Sequence, residues 1–424
     1  LGVVVAAFCA LLYAVLPLKL ALVATAAIVG IPLLLVALVD LTFGLQVTVA
    51  AGFLIGLAAK YTTAPIGTLL DLLMVWLIFG LLARLVKEKE MRYAENPISL
   101  LILLWIGYNL LQAINPVAGS RMAWVYTVRS VALLLMLYFV ALRAFASRRE
   151  VFRGLKAIIF WSFVAALYGL KQEFVGFTPT ELAWLHADEL RFQLIFQWSR
   201  LRIFSFFSDP TTYGMLMAYM SVACFILVGG PWAVWKRVML AVAGISMWMA
   251  IAYAGSRTPV VMVPAGIAFA TLLSLNRRTL LISGFVFLAG AALMMKSTHS
   301  AVIYRIQSAF RPTEDASLQL RLENQEKIQP FIQSHPFGAG LGSTGYWGKR
   351  FTPDSWLASF AHDSLYVRLA VETGWVGLLI YMTLLFIAMQ QGIYWYYRVR
   401  DPALKLVYLA LATSVFMLAL ASYP

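Results

Sequence analysis

Residues 66–86 read IGTLLDLLMVWLIFGLLARLV, and Asp71 and Arg84 are the charged residues in this run. An α-helix needs about 20 mostly apolar residues to cross the hydrocarbon core of a bilayer. The run therefore predicts a membrane-spanning helix. The whole chain has the same character, because 62% of its 424 residues are hydrophobic and 12% are charged. A soluble domain has about 25% charged residues, so the composition excludes an ordinary soluble protein.

Similar apolar runs recur along the chain and predict an all-α polytopic membrane protein with 12 or 13 spanning helices. The predicted spans are residues 1–16, 18–39, 46–59, 66–86, 98–114, 121–145, 151–171, 211–229, 238–255, 258–275, 279–295, 375–397 and 404–423. Because the chain starts at Leu1 and stops at Pro424 inside an apolar run, we expect it to be part of a longer protein.

The basic residues predict the orientation of the bundle. The formal net charge is +14, which in a soluble protein would suggest a nucleic-acid partner. In a membrane protein, Lys and Arg instead concentrate in cytoplasmic loops. Alternating spans place one basic set on a single side: Arg84, Lys87, Lys89, Arg92, Arg143, Arg148, Arg149, Arg153, Lys156, Lys236, Arg237, Arg277, Arg278, Arg398, Arg400 and Lys405. The short loops opposite carry Lys19, Lys60, Arg121 and Arg257. We expect the basic side to be cytoplasmic, and we call the opposite side the outer face.

Two long segments fall on the outer face, where we expect function. The prediction divides the chain into a helix bundle over 1–295 with an outer loop at about 172–210, an outer loop domain over 296–362, and C-terminal spans over 363–424. Residues 317–334 predict an amphipathic helix along the membrane surface, with Leu318, Leu322, Ile328 and Phe331 among its apolar positions. The glycines that follow predict a mobile lid; they are Gly338, Gly340, Gly342 and Gly345.

Several kinds of chemistry find no support in the sequence. Cys9 and Cys224 both lie in apolar runs, which excludes a disulfide framework and a cysteine zinc site. There is no phosphate-binding loop, no dinucleotide fingerprint and no H-E-x-x-H motif. His186 and Glu189 have the spacing of half a metal site, but nothing completes it. We therefore expect no cofactor, metal, nucleotide or nucleic acid, and a reaction at the outer face that uses an activated, lipid-borne substrate.

His362 is the residue that best fits a catalytic role. It precedes Asp363 and Ser364, which predict the start of a helix that runs to about Thr373 and ends at Gly374. The positive end of a helix dipole favours neutral imidazole. Neutral imidazole can take a proton from a hydroxyl. The alternative is a histidine that only forms a hydrogen bond within a loop.

Four arginines are candidates for binding an anion or for a structural role. Arg257 follows Gly255 and Ser256 at the outer boundary of a span, and guanidinium pairs with phosphate oxygens in a fork. It could equally extend to lipid headgroups. Arg321 and Arg202 are further candidates for the same anion, with structural roles as alternatives. Arg129 lies inside a span, and we expect it to line an interior cavity.

Taken together, four motifs resemble the bacterial O-antigen ligase and O-antigen polymerase superfamily, which are polytopic GT-C-type glycosyltransferases. The motifs are RIFSFFSDPTTYG at 202–214, GSRTP at 255–259, RLENQEKIQPFIQSHPFGAGLG at 321–342 and AHDSLYVRLAVETGWVGLL at 361–379. The last two are the most specific. The resemblance spans about 200–395, whereas the first 200 residues match in hydropathy alone.

The resemblance implies an inverting, metal-independent glycosyl transfer at the periplasmic face of the bacterial inner membrane. The donor would be a glycan on undecaprenyl diphosphate, and membrane lipid would surround it. The acceptor would be a sugar hydroxyl of lipid A–core in a ligase, or another lipid-linked glycan in a polymerase. On this sequence, His362 would activate or orient the acceptor hydroxyl. Arg257 and Arg321 would bind the diphosphate and neutralise its developing charge, with Arg202 as a third member.

The sequence leaves the acceptor open. A ligase is the first hypothesis, a polymerase of the same superfamily is second, and a protein O-oligosaccharyltransferase is third. A transporter or flippase for a lipid-linked glycan is the alternative from a different class. Such a transporter predicts titratable residues deep in the membrane and a cytoplasm-facing cavity, but Asp40 and Asp71 lie near predicted span ends.

Overall fold

The computed structural model describes residues 17–62, 66–89, 94–197, 199–295, 316–360, 362 and 364–423, with a few isolated positions between 303 and 310. The predicted span at 1–16 lies outside these residues. So does Asp363, together with most of the segment that joins the predicted bundle to the amphipathic helix.

Helices dominate the first half of the chain. They are α1 (Leu18–Val39), α2 (Leu41–Ala58), α3 (Ile66–Glu88), α4 (Pro97–Leu111), α5 (Arg121–Ala144), α6 (Arg148–Phe174), α7 (Pro179–His186) and α8 (Glu189–Ile195). A 3-10 turn, Gln112–Ile114, extends α4. Two short antiparallel strands, β1 (Phe196–Gln197) and β2 (Arg200–Leu201), follow α8.

The second half continues the pattern. Its helices are α9 (Pro210–Val228), α10 (Val234–Ala254), α11 (Arg257–Ser274), α12 (Arg277–Met295), α13 (Ala316–Ser334), α14 (Gly345–Phe351), α15 (Trp356–Ser359), α16 (Leu365–Arg398) and α17 (Pro402–Ala421). Side-chain caps start several spans. Asp209 and Asp401 each accept backbone N–H bonds ahead of a proline in the first turn, where proline's missing N–H costs nothing.

Ten of the described helices are long and apolar enough to cross a membrane. The all-α polytopic fold is confirmed. Helices α1 and α12 lie on two further predicted spans, 18–39 and 279–295. Every predicted span within the described residues therefore coincides with a helix, because the hydropathy that defines a span is a local property of the sequence.

Contacts between helix ends show that the spans alternate as predicted. At the basic end, Arg143 pairs with Glu88 at 2.9 Å, and Arg148 pairs with Asp401 at 2.8 Å. At the outer face, the Asn115 amide nitrogen lies 3.1 Å from the Phe337 carbonyl oxygen. The connection between α4 and α5 and the loop that follows α13 therefore lie at the same end of the bundle.

The best-buried core surrounds α9. Met217 of α9, Met247 of α10, Met262 of α11 and Met417 of α17 are all fully buried. Met417 packs over Gly266 of α11, where a side chain would collide with the sulfur. Since α11 runs away from the outer face and α17 runs toward it, this packing places the start of α11 and the end of α17 at the same outer end.

Helix α16 is broken near its outer end. Gly374 has φ 71° and ψ 177°, a conformation essentially reserved for glycine. The break separates an outer stub, residues 365–373, from the membrane-spanning part. The sequence predicted this interruption, and the structure confirms it.

Candidate active site

His362 lies immediately before the outer stub. Its Nδ1 lies 3.4 Å from the Phe360 carbonyl oxygen. Because a carbonyl oxygen only accepts, this contact favours the tautomer with hydrogen on Nδ1. In that tautomer, a neutral ring would carry its lone pair on Nε2, the form that can accept a proton from a hydroxyl.

Arg321 and His362 line one crevice. Asn324, Gln325, Phe360, Ser364 and Val367 complete its walls. The crevice is narrow and has room for about one water molecule. The two residues are 41 positions apart in sequence, and helix packing joins them: Ile328 and Phe331 of α13 lie in one apolar cluster with Val367 and Val371 of the stub. A basic group and a candidate proton acceptor thus share one small space.

Helix α13 is the predicted amphipathic helix, and the structure refines its environment. Ile328 is 1% exposed against the stub. Leu322 is exposed, so one part of the helix is available to a membrane surface while the other is part of the protein core. The packed part is the one that sets the position of Arg321.

The end of α17 fixes the start of the stub. Leu365 N–H donates to the Ser422 carbonyl oxygen at 3.1 Å, and Ser364 Oγ donates to the same oxygen at 3.0 Å. Tyr366 Oη donates to the Ala419 carbonyl oxygen at 2.6 Å. These bonds hold the residues next to His362 against the last turn of a membrane-spanning helix.

Four buried glycines, Gly338, Gly340, Gly342 and Gly374, form what we call the glycine junction. All four have positive φ. A Cβ at Gly338 would collide with the backbone around Gly374, and a Cβ at Gly340 would collide with Ala118. Ala339 N–H donates to the Val371 carbonyl oxygen at 2.8 Å. This close packing favours a fixed loop over the predicted mobile lid, which stays a prediction.

The buried Glu372 carboxylate lies beside the glycine junction. The Glu372 side chain is 2% exposed, and its Oε1 accepts bonds from Arg368 Nε at 3.1 Å and from Thr344 Oγ1. Gly345, the next residue along, lies against the His362 ring, with Cε1 3.7 Å from the position of a Cβ. Thr344 therefore contacts the Glu372 carboxylate, and the next residue, Gly345, lies beside the His362 ring. The sequence analysis assigned no role to Thr344, Arg368 or Glu372. The i, i+4 spacing of Arg368 and Glu372 was the signal that could have indicated their ion pair.

Arg257 begins α11 at the outer face, and Arg202 lies beneath it. Arg202 is buried. Its Nε donates to the Ala254 carbonyl oxygen at 2.9 Å, and its Nη2 donates to Ser256 Oγ, just before Arg257. Ser256 also lies 2.9 Å from Thr211 Oγ1. These bonds favour a positioning role for Arg202. Its predicted contact with diphosphate remains a prediction.

Buried polar side chains lie in and around the outer loop that carries Arg202, and we call them the loop network: Lys60, Gln172, Glu181, Arg202 and Ser205. Glu181 is fully buried and accepts Gln172 Nε2 at 2.6 Å. Gln172 Oε1 accepts the Ser205 N–H at 2.7 Å, and Lys60 Nζ donates to the Ser205 carbonyl oxygen at 2.7 Å. Burial lowers the pKa of Lys60 to about 8, although the charge of Glu181 opposes the shift.

Other predicted residues have local partners. Arg129 pairs with Asp71 at 2.9 Å between α5 and α3. The His186 ring stacks on Phe192, with centroids 4.7 Å apart. Among the described residues, no group of His, Cys, Asp or Glu has the arrangement of a metal site.

Residues 242–382 match the family model described as O-antigen ligase. The resemblance seen in the sequence motifs is confirmed for this stretch. We call residues 242–382, about a third of the chain, the ligase-family domain because this stretch is similar to that family model. Members of this superfamily are glycosyltransferase-like membrane enzymes. No curated protein matches the chain.

The ligase-family domain includes His362, Arg257 and Arg321, together with Arg368 and Glu372. It leaves out Arg202 and the rest of the loop network. The structure brings Arg321 and His362 into one crevice and places Arg257 at the same outer end, beside Arg202 rather than in that crevice.

Proposed function

We propose that this protein transfers a glycan from undecaprenyl diphosphate to a sugar hydroxyl at the periplasmic face of the inner membrane, as an O-antigen ligase with lipid A–core as acceptor. The observation that carries the proposal is the shared crevice of Arg321 and His362 inside the ligase-family domain. Undecaprenyl diphosphate and membrane lipid are the partners that this site would take.

In the proposed reaction, the acceptor oxygen attacks the anomeric carbon on the face opposite the diphosphate. The new carbon–oxygen bond forms as the bond to the diphosphate oxygen breaks, and the diphosphate leaves with the electron pair. His362 Nε2 accepts the hydroxyl proton. Arg321 and Arg257 stabilise the charge on the leaving diphosphate, since fixed guanidinium groups offer paired N–H donors to phosphate oxygens.

The test is a transfer assay with purified protein, an undecaprenyl-diphosphate glycan and lipid A–core, with EDTA present and nucleotide omitted. We expect a single glycan addition to lipid A–core. A ladder of lengthening lipid-linked glycans would replace the ligase proposal with a polymerase, and glycosylated protein would replace it with an oligosaccharyltransferase. Transport of the lipid-linked glycan across liposomes without any transfer would contradict the enzyme proposal.

Arg321→Ala tests the assigned crevice. We expect at least about a tenfold loss in kcat/KM, since a lost charge-assisted contact to the leaving group costs 1.5 kcal/mol or more. Lys327→Ala on the same helix is the control, because it removes one positive charge from an exposed side chain. Equal losses of kcat/KM in both variants would show that transfer depends on the total positive charge of α13 and not on the position of Arg321 in the crevice.

A further inference from the structure

Arg368 has the features of an anion-binding group that is held ready for a ligand. Its Nε donates to Glu372 Oε1 at 3.1 Å, whereas its side chain is 38% exposed. A guanidinium has five N–H donors, so this one bond leaves the Nη donors available at the outer face. By contrast, Arg202 gives bonds from Nε, Nη1 and Nη2 to protein oxygens and is buried.

The carboxylate that holds Arg368 is unusually well fixed. Glu372 is 2% exposed and also accepts a bond from Thr344 Oγ1. A buried carboxylate with two donors restricts the guanidinium to few orientations. A pre-oriented guanidinium loses less conformational entropy when it binds an anion.

Arg368 also lies close to the crevice. Its backbone N–H donates to the carbonyl oxygen of Ser364, a crevice residue, at 3.0 Å. Val367, its neighbour in sequence, lines the crevice with Arg321 and His362. Thr344, which shares the Glu372 oxygen, precedes Gly345 at the His362 ring. The stub therefore carries a second basic group within one helical turn of the proposed reaction centre.

We propose that Arg368 is a further residue that binds the donor diphosphate, with Glu372 as its positioning residue. This inference rests on the proposed function for its choice of ligand. Arg321, Arg368 and Glu372 together carry one net positive charge, which suits an anionic group held between α13 and the stub. The diphosphate of a polyprenyl lipid has the required charge and several oxygens for a fork-shaped donor.

The experiment measures binding of undecaprenyl diphosphate without glycan to the full chain in detergent, with undecaprenol as the uncharged comparison. Arg368→Gln removes the charge but keeps an amide that can donate to Glu372, so the buried carboxylate keeps a hydrogen-bond donor. We expect it to weaken diphosphate binding about tenfold and leave undecaprenol binding unchanged. Arg368→Lys should fall between Gln and wild type, because it keeps the charge but loses the fork.

Two further variants separate the roles. Glu372→Gln should weaken diphosphate binding by a smaller factor and, in the transfer assay, raise KM for the donor with little change in kcat. Arg350→Gln is the matched control, since Arg350 is an exposed arginine of α14 on the same face. It should stay within about twofold of wild type.

The outcomes distinguish this inference from the proposed function. Wild-type affinity in Arg368→Gln, with wild-type protein that binds and transfers, would overturn the role of Arg368 alone. An equal loss in Arg350→Gln would overturn it too, because the effect would then be general charge. Wild-type protein that binds the diphosphate lipid through Arg368 but transfers no glycan would overturn the proposed function alone. No diphosphate-dependent binding by wild-type protein would overturn both.

Discussion

The loop network and the glycine junction hold the two outer segments by different means. In the loop network, charged and amide side chains are buried and bond to protein oxygens, as Arg202 does with Ala254 and Ser256. In the glycine junction, the backbone packs directly against backbone at Gly338 and Gly374. The junction needs no charged side chain for its own packing.

This difference distinguishes an arginine that stabilises the fold from the arginines that we propose bind the diphosphate. Arg202 has the residue type expected of a phosphate ligand, but its donors are directed to the fold. Arg321 lines the crevice and the Arg368 side chain is 38% exposed, whereas glycine packing and apolar contacts support the structure around them. The comparison predicts that substitutions in the loop network lower the free energy of unfolding. Substitutions of charged residues near the glycine junction should instead lower the rate of glycan transfer.

Gly374→Ala should give the largest effect. A Cβ at this position would collide with the Pro336 carbonyl group, and φ of 71° is strained for alanine. We expect a loss of about 4 kcal/mol or more in the free energy of unfolding, from strain and overlap together. Thermal unfolding in detergent measures it. Gly52→Ala is the control and should have a small effect, since no atom lies within 4 Å of its added Cβ. If Gly374→Ala lowers the unfolding temperature no more than Gly52→Ala does, the glycine junction is not closely packed.

Arg202→Ala should come next. It removes the donor to the Ala254 carbonyl oxygen and leaves buried acceptors without partners, at a cost of about 3 kcal/mol in stability. The same unfolding measurement tests it, with exposed Arg350→Ala as the control. If Arg202→Ala unfolds like wild type but loses affinity for the donor, Arg202 is a diphosphate ligand after all, and the contrast between the two regions fails at this residue.

His362→Ala should reduce transfer by about 100-fold or more, the usual contribution of a general base, with the unfolding temperature unchanged. The reason is that His362 is only partly buried and has a long 3.4 Å contact to Phe360. His186→Ala, which removes a ring stacked on Phe192, is the histidine control and should keep its activity. Substantial residual transfer in His362→Ala would instead assign it the weaker role of orienting the acceptor.

The smallest expected effect is a change of protein stability with pH that arises from Lys60. Its pKa is lowered to about 8 in the folded protein, below the unfolded value of 10.5. The folded state therefore releases this proton first as pH rises, and the unfolded state binds more protons above pH 8. We expect this group to raise stability by about 2 kcal/mol between pH 7 and 9.5. Lys60→Met should remove that rise in thermal unfolding; a rise retained in full would assign it to another group.

More of the fold than of the candidate site could be predicted from the sequence. Spans, their alternation and the break at Gly374 depend on local hydropathy and on single residues, so they could be predicted from the sequence. Two of the acceptors of Arg202 are 52 and 54 residues away, and no local pattern indicates them. Likewise, a glycine-rich sequence does not reveal whether positive φ serves mobility or close packing. At Gly338 and Gly340 the structure places backbone and Ala118 where a Cβ would lie, which favours close packing.

The break at Gly374 also divides α16 into a part long enough to cross a membrane and a short outer part. The 24 residues from 375 to 398 extend about 36 Å as a helix, enough to cross a hydrocarbon core of about 30 Å. The nine residues of the stub extend about 13 Å beyond the break. Trp375, the first residue after the break, is exposed, and tryptophan is enriched at membrane interfaces. Under the proposed function, Arg368 and His362 lie beyond the outer end of this span, where the diphosphate of a membrane-anchored donor would reach them.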